Sequence, residues 1–169
     1  MAEPAFSILP AQRADVPHML EMISELAAYE NLAHLLEVTA DRLEHGLFGA
    51  RPAAEALLLW AHRGDCRIPA GFALFFHNYS TFLGKSGLWL EDLFVKPAWR
   101  KRGFGRALLQ QVARIAVERQ CGRFEWAVLD WNEPAIRFYE SVGATIMPEW
   151  QITRVTGAAL RALGKSLQP

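Results

Sequence analysis

Between Gly87 and Asp130 the sequence changes period three times, and few architectures accommodate that. The stretch "GLWLEDLFV" is short, apolar and halted by Pro97, which fits a strand. It runs into "WRKRGFGRALL", Trp99 to Leu109, where three consecutive cations stand beside two glycines. From there Leu108, Leu109, Val112, Ala113, Ile115 and Ala116 recur at helical spacing to about Gln120. "FEWAVLD" then reads as another strand. A strand, a glycine loop, a helix and a further strand predict a mixed α/β sheet with crossovers.

The rest of the chain fits that frame. "FSILPA" reads as a first strand. Val16, Met19, Leu20, Ile23, Leu26 and Ala27 mark an amphipathic helix over Arg13 to Tyr29. Thr39 caps a shorter helix ending near Gly46–Gly49. "EALLLWAH" and "AGFALFFHNYS" are strands separated by Gly64-Asp65 turn chemistry. Asn132 and Pro134 open a helix that Gly143 stops. "ATIM" and "QITRVT" read as closing strands, and Ala158–Leu167 as a terminal helix.

At 169 residues the chain suits one domain, 1–169, with a core that needs no staples. No apolar run approaches a membrane span, and "MAEPAFSILPA" lacks the basic start and apolar centre of a signal peptide. A cytoplasmic protein with no membrane partner is therefore expected. Cys66 and Cys121 form no redox or metal motif and read as two buried thiols. The five histidines show no ligand spacing, so no metal is expected.

The net charge of zero conceals two opposed regions. Residues 1–62 hold nine acids against three arginines, whereas residues 96–123 hold eight Lys/Arg against Glu118. Such fields suit a cationic and an anionic ligand, or else a pair of solvated helix faces. A nucleic-acid partner is not expected. The six tryptophans are scattered and no nucleic-acid motif accompanies the cations.

Glycines beside a helix start let backbone N–H groups approach an anion closely. A dinucleotide fingerprint would need glycine at 108, where Leu stands. A P-loop ending in Gly84-Lys85-Ser86 would need glycine at 79, where Tyr stands, and Gly164-Lys165-Ser166 fails in the same way at Ala159. Arg100-x-x-Gly103-x-Gly105 is what remains.

That motif after "LEDLFVKPAW", with "LDWNEPAIRFYESVGA" beyond one helix, resembles the GNAT superfamily of acetyl-CoA-dependent N-acetyltransferases. With "ELAAYE" and "YSTFLGK" the resemblance extends to the diamine and thialysine acetyltransferase branch. It implies a twisted mixed sheet with helices on both faces, splayed between strands four and five. It implies that Arg100, Lys101, Arg102, Gly103, Phe104, Gly105 and Arg106 cradle the pyrophosphate of acetyl-CoA. Leu93, Phe94 and Val95 would hydrogen-bond the pantetheine arm as an added strand, with Asn132 opposite. The same resemblance implies a homodimer, with the apolar, tryptophan-bearing C-terminal strands as an interface.

An amine must be neutral to attack a thioester, and bringing a lysine-like amine to that state at pH 7 costs about 4.6 kcal/mol. A carboxylate working through water can take the proton. The resemblance puts Glu91 in that role and Tyr139, seven residues after Asn132, as the acid toward the departing thiolate. Glu91 has a purely structural alternative as the partner of a nearby base, and Tyr139 as a packing residue. Strand alternation points Glu91 and Asp92 to opposite faces unless a bulge intervenes, and Asp92 reads as a solvated or hydrogen-bonded residue. Tyr29, Glu30, Glu149 and Trp150 correspond to substrate contacts of the branch.

One departure narrows the substrate. The polyamine enzymes of the branch carry an acidic residue before the aromatic–Gly–Lys stretch, but this chain reads "HNYSTFLGK". Without it nothing there holds a distant second amine, so a small primary amine is expected, a thialysine-like amino acid ahead of a short diamine. Three alternatives remain open. They are a protein lysine as acceptor, a protein N-terminus as acceptor, and a CoA-binding sensor without turnover.

Overall fold

The computed structural model describes residues 6–165. The backbone divides into two compact units with the boundary between Ala127 and Val128.

The first unit is a five-stranded open sheet in the order β1-β2-β3-β4-β5. Its strands are β1 (Phe6–Pro10), β2 (Glu55–Arg63), β3 (Cys66–Ser80), β4 (Lys85–Val95) and β5 (Phe124–Trp126). The first four form antiparallel pairs, and β5 joins β4 in parallel after the crossover through helix α3 (Phe104–Glu118). The remaining helices of this unit are α1 (Val16–Tyr29) and α2 (Ala40–Phe48). As its sequence predicts, α2 is capped by Thr39, whose side chain accepts from the Arg42 amide.

Helices cover the sheet on both sides, because successive strand residues face opposite ways. Leu58, Phe72 and Phe94 face one layer and pack with Val16, Met19 and Met22 of α1 and Leu43 and Leu47 of α2. The opposite face meets α3, where Leu108 approaches Gly71 of β3. Ala56 to Leu59 are consequently all buried, as a strand covered on both faces requires.

The parallel ladder is short. It pairs Leu88 with Phe124, Trp89 with Glu125 and Leu90 with Trp126, and ends there. Past Leu90, β4 runs on to Val95 with a ladder partner only in β3 among the described residues. The expected splay between strands four and five is thus present, and β5 is shorter than "FEWAVLD" implies.

The second unit contains α4 (Glu133–Glu140) and α5 (Gly157–Lys165). Asn132 caps α4 by accepting from the Ala135 amide, and Gly143, at φ +91, closes it. The expected end of the last helix beyond Lys165 lies outside the described residues. "ATIM" and "QITRVT" are not strands. Their β-forming side chains, such as Ile152 and Val155, are exposed, and among the described residues no ladder takes up their backbone groups. The cysteines also differ from expectation. Both are free, but Cys66 begins β3 at the Gly64-Asp65 turn and is exposed, while Cys121 is half-buried. Among the described residues no helix is long and apolar enough to cross a membrane.

Candidate functional site

The register of β3 and β4 holds the central feature. Leu74 pairs with Asp92 and Phe75 with Leu90, so Glu91 is an extra residue on β4. This β-bulge breaks the plain alternation that separates Glu91 from Asp92. It lies at the residue directly after the last β4–β5 pair, so the strand loses its neighbour and bends at one point.

Two neighbouring carboxylates now share one field. Glu91 is exposed and accepts from Trp89 Nε1 at 3.0 Å. Asp92 is partly buried, and its carboxyl has no hydrogen-bond or ion-pair partner among the described residues. Its pKa is pushed up to about 7, first by burial and then by the negative charges of Glu91 and Glu30. Burial also raises Glu30, the residue that follows the end of α1. Three carboxylates from α1 and β4 therefore converge, and a cationic group placed among them would relieve the repulsion. Asp92, read from the sequence as an ordinary polar residue, is the one the fold sets apart. The available signal was a pair of adjacent acids, Glu91 and Asp92, set between apolar strand residues in "WLEDLFV".

At the other end of β4 the chain passes through Pro97–Trp99 into the cationic loop. Lys101 at φ +60 and Gly103 at φ +80 both lie in the left-handed region. Gly103 is the N-cap of α3 and supplies no side-chain cap, so the helix's first-turn amides face whatever the loop encloses. An uncapped helix start of four turns, beside a loop bearing four cations, fits an anionic group such as a pyrophosphate. Phe104 anchors the helix start by packing against Phe6 and Trp99 at ring separations of 5.2 and 5.9 Å.

The cations have distinct surroundings. Lys96 donates to Glu21 and Glu25 of α1 at 2.6 and 2.9 Å. Burial works against its charge, but these two hydrogen bonds outweigh it and its pKa rises. Arg100 turns back over β4, with Nε donating to the Val95 carbonyl at 3.0 Å. Its guanidinium lies over the rings of Tyr29, at 4.9 Å, and Phe94, at 5.7 Å. Arg102 lies over Trp99 at 5.1 Å. Lys101 and Arg106 are exposed.

The first unit thus gathers Tyr29, Glu30, Glu91, Leu93, Phe94, Val95 and the loop from Arg100 to Arg106 along β4 and its continuation. Asn132 and Tyr139 belong to the second unit, where they lie seven residues apart on one side of α4 and are both buried. Glu149 and Trp150 lie in the irregular segment beyond it, and Trp150 is 71% exposed. Among the described residues no group of His, Cys, Asp and Glu side chains is placed to hold a metal ion.

An open mixed sheet whose strand bulges at a carboxylate and leads into a glycine–cation loop and a long helix is the arrangement expected of the acyltransferase family that the sequence resembles. Residues 20–144 match the Acetyltransferase (GNAT) family, and the chain belongs to that family. It is 36% identical to an L-ornithine N5-acetyltransferase of Arabidopsis thaliana, over 92% of this chain and 86% of that protein. It is 34% identical to the thialysine N-epsilon-acetyltransferase of Sus scrofa, over 92% and 95% of the two chains. Among solved structures, an integron cassette protein from the mobile metagenome of V. cholerae superposes with a TM-score of 0.75 over 95% of this chain and 98% of that one. At 24% identity that likeness speaks for the fold alone. The chain is an acetyltransferase of the GNAT family.

Proposed function

We propose that this chain, acting as a single domain over 1–169, transfers the acetyl group of acetyl-CoA to a primary amine of a small amino acid or short diamine. Thialysine and ornithine, the amines named for its relatives, head the candidates. The observation that carries the reading is the bulge at Glu91, which sets Glu91 and Asp92 in one field with Glu30 where β4 parts from β5.

The chemistry follows from those placements. Carboxylates at the end of α1 and on β4 attract an ammonium group and orient it. Glu91, exposed and held by Trp89, takes the proton through water as the amine attacks. Asp92 stands beside it with a pKa of about 7, able to hold a proton close to neutral pH. The unpaired side of Leu93, Phe94 and Val95 suits the amides of a pantetheine arm, as an added strand. The backbone of the loop from Lys101 to Arg106 suits the pyrophosphate, and Asn132 supports the arm from α4. Tyr139 serves as the acid toward the thiolate, and Tyr29, Glu149 and Trp150 contact the amine. The protein works in the cytoplasm as a homodimer.

The test is thiol release from acetyl-CoA with thialysine, ornithine, lysine, putrescine, spermidine and a lysine peptide, run beside Tyr139→Phe. Turnover on a small amine that falls by about 10²-fold in Tyr139→Phe supports the reading. Turnover on the peptide alone moves the acceptor to protein lysine. Binding of CoA without turnover on any acceptor makes the protein a sensor.

A further inference from the structure

One stripe of α1 meets the start of the cationic loop, and it does so through two different kinds of contact. Glu21, Glu25 and Tyr29 are spaced by four, so they line one side of the helix. Lys96 and Arg100 are likewise four apart and face that stripe in order. Lys96 takes Glu21 and Glu25, and Arg100 lies over the Tyr29 ring. Arg100 is also tied to β4 by its bond to the Val95 carbonyl and its position over Phe94.

The geometry points to Arg100 as a positioning residue for the acceptor amine, holding Tyr29 and the end of α1 in place rather than neutralising phosphate. A guanidinium stacked on a tyrosine, with its Nε committed to a backbone carbonyl, is oriented along β4 and toward α1. Its planar fork satisfies both contacts together, which an ammonium does less well. The next residue, Lys101, has a left-handed backbone, so the loop's conformation fixes where the Arg100 side chain starts. An anion that orders the loop therefore also orders Tyr29 and the adjoining Glu30. Amine recognition in this arrangement depends on the loop that holds the other substrate, with one side chain as the link.

The inference rests on the acetyl-transfer reading, and the experiment separates the two. With thialysine and ornithine as the acceptors, amine KM and kcat are measured at saturating acetyl-CoA for the wild type, Arg100→Gln, Arg100→Lys, Tyr29→Leu and the double variant Arg100→Gln/Tyr29→Leu. CoA affinity is measured separately by tryptophan fluorescence. Arg100→Gln is expected to raise the amine KM about fivefold, with CoA affinity changed by less than about threefold. Arg100→Lys, which keeps a cation over the ring, recovers part of that loss. The double variant is no worse than its more affected parent, since both substitutions break one contact.

Multiplying effects in the double variant would overturn the inference. So would a tenfold loss of CoA affinity in Arg100→Gln with the amine KM unchanged, which would return Arg100 to the phosphates. Wild-type protein that binds CoA but acetylates no amine overturns the acetyl-transfer reading and the inference with it. Wild-type turnover with multiplying effects overturns the inference alone.

Discussion

Replacing Asp92 with asparagine tests the site's electrostatics without requiring that the substrate be known. The carboxyl titrates at about 7 in the folded protein against an ordinary value of 3.8, chiefly because burial disfavours its charge. Below pH 3.8 both folded and unfolded chains hold the proton, and the residue contributes nothing to the pH dependence. Between 3.8 and about 7 only the folded chain holds it, so stability falls as pH rises. Above about 7 the penalty is complete. About three pH units at about 1.4 kcal/mol each would make it about 4 kcal/mol, and solvent reaching the partly buried group lowers this to about 2–4 kcal/mol. Asp92→Asn removes the penalty, so its stability relative to the wild type should climb across that window and level off above it. Urea unfolding from about pH 4 to about pH 8.5 reads this directly. Stability curves that run parallel across the window would refute the argument, as would an Asp92 carboxyl carbon that titrates by NMR in the ordinary range. Removing a neighbouring charge with Glu30→Gln should move that midpoint down, because a like charge no longer opposes ionisation.

Two further substitutions probe other parts of the fold. A methyl group on Gly71 would lie 2.6 Å from the Phe94 carbonyl oxygen and 3.3 Å from Leu108, so β4 or α3 must shift. Gly71→Ala should cost about 1–3 kcal/mol in thermal or urea unfolding and weaken CoA binding, because the displaced carbonyl belongs to the strand proposed to receive pantetheine. Glu91→Gln keeps the size of the side chain but loses the base. It should lower kcat by about 10²-fold while CoA affinity is retained, and an unchanged kcat would assign the proton to another group.

Local chemistry made much of this protein readable from its sequence. Thr39 and Asn132 sit where helix caps belong, Gly143 where a helix ends, and the change of period after Pro97 announced the crossover. The glycine–cation loop was legible for the same reason, since a left-handed residue before a helix depends on neighbours in sequence. The splay was expected from the resemblance, and the ladder that ends at Leu90 and Trp126 bears it out.

Other features depended on partners distant in sequence. Whether "QITRVT" is a strand depends on a neighbour to receive its backbone hydrogen bonds, and a β-forming composition does not provide one. Whether Glu91 and Asp92 share a field depends on the β3–β4 register, where one extra residue overturns the alternation that the sequence dictates. The pKa of Asp92 depends on burial and on Glu30, sixty-two positions earlier in the chain. The orientation of Arg100 depends on Tyr29 and on the carbonyl of Val95. The residue types needed for the chemistry are written along the chain, but their protonation states and orientations come from neighbours that only folding brings together.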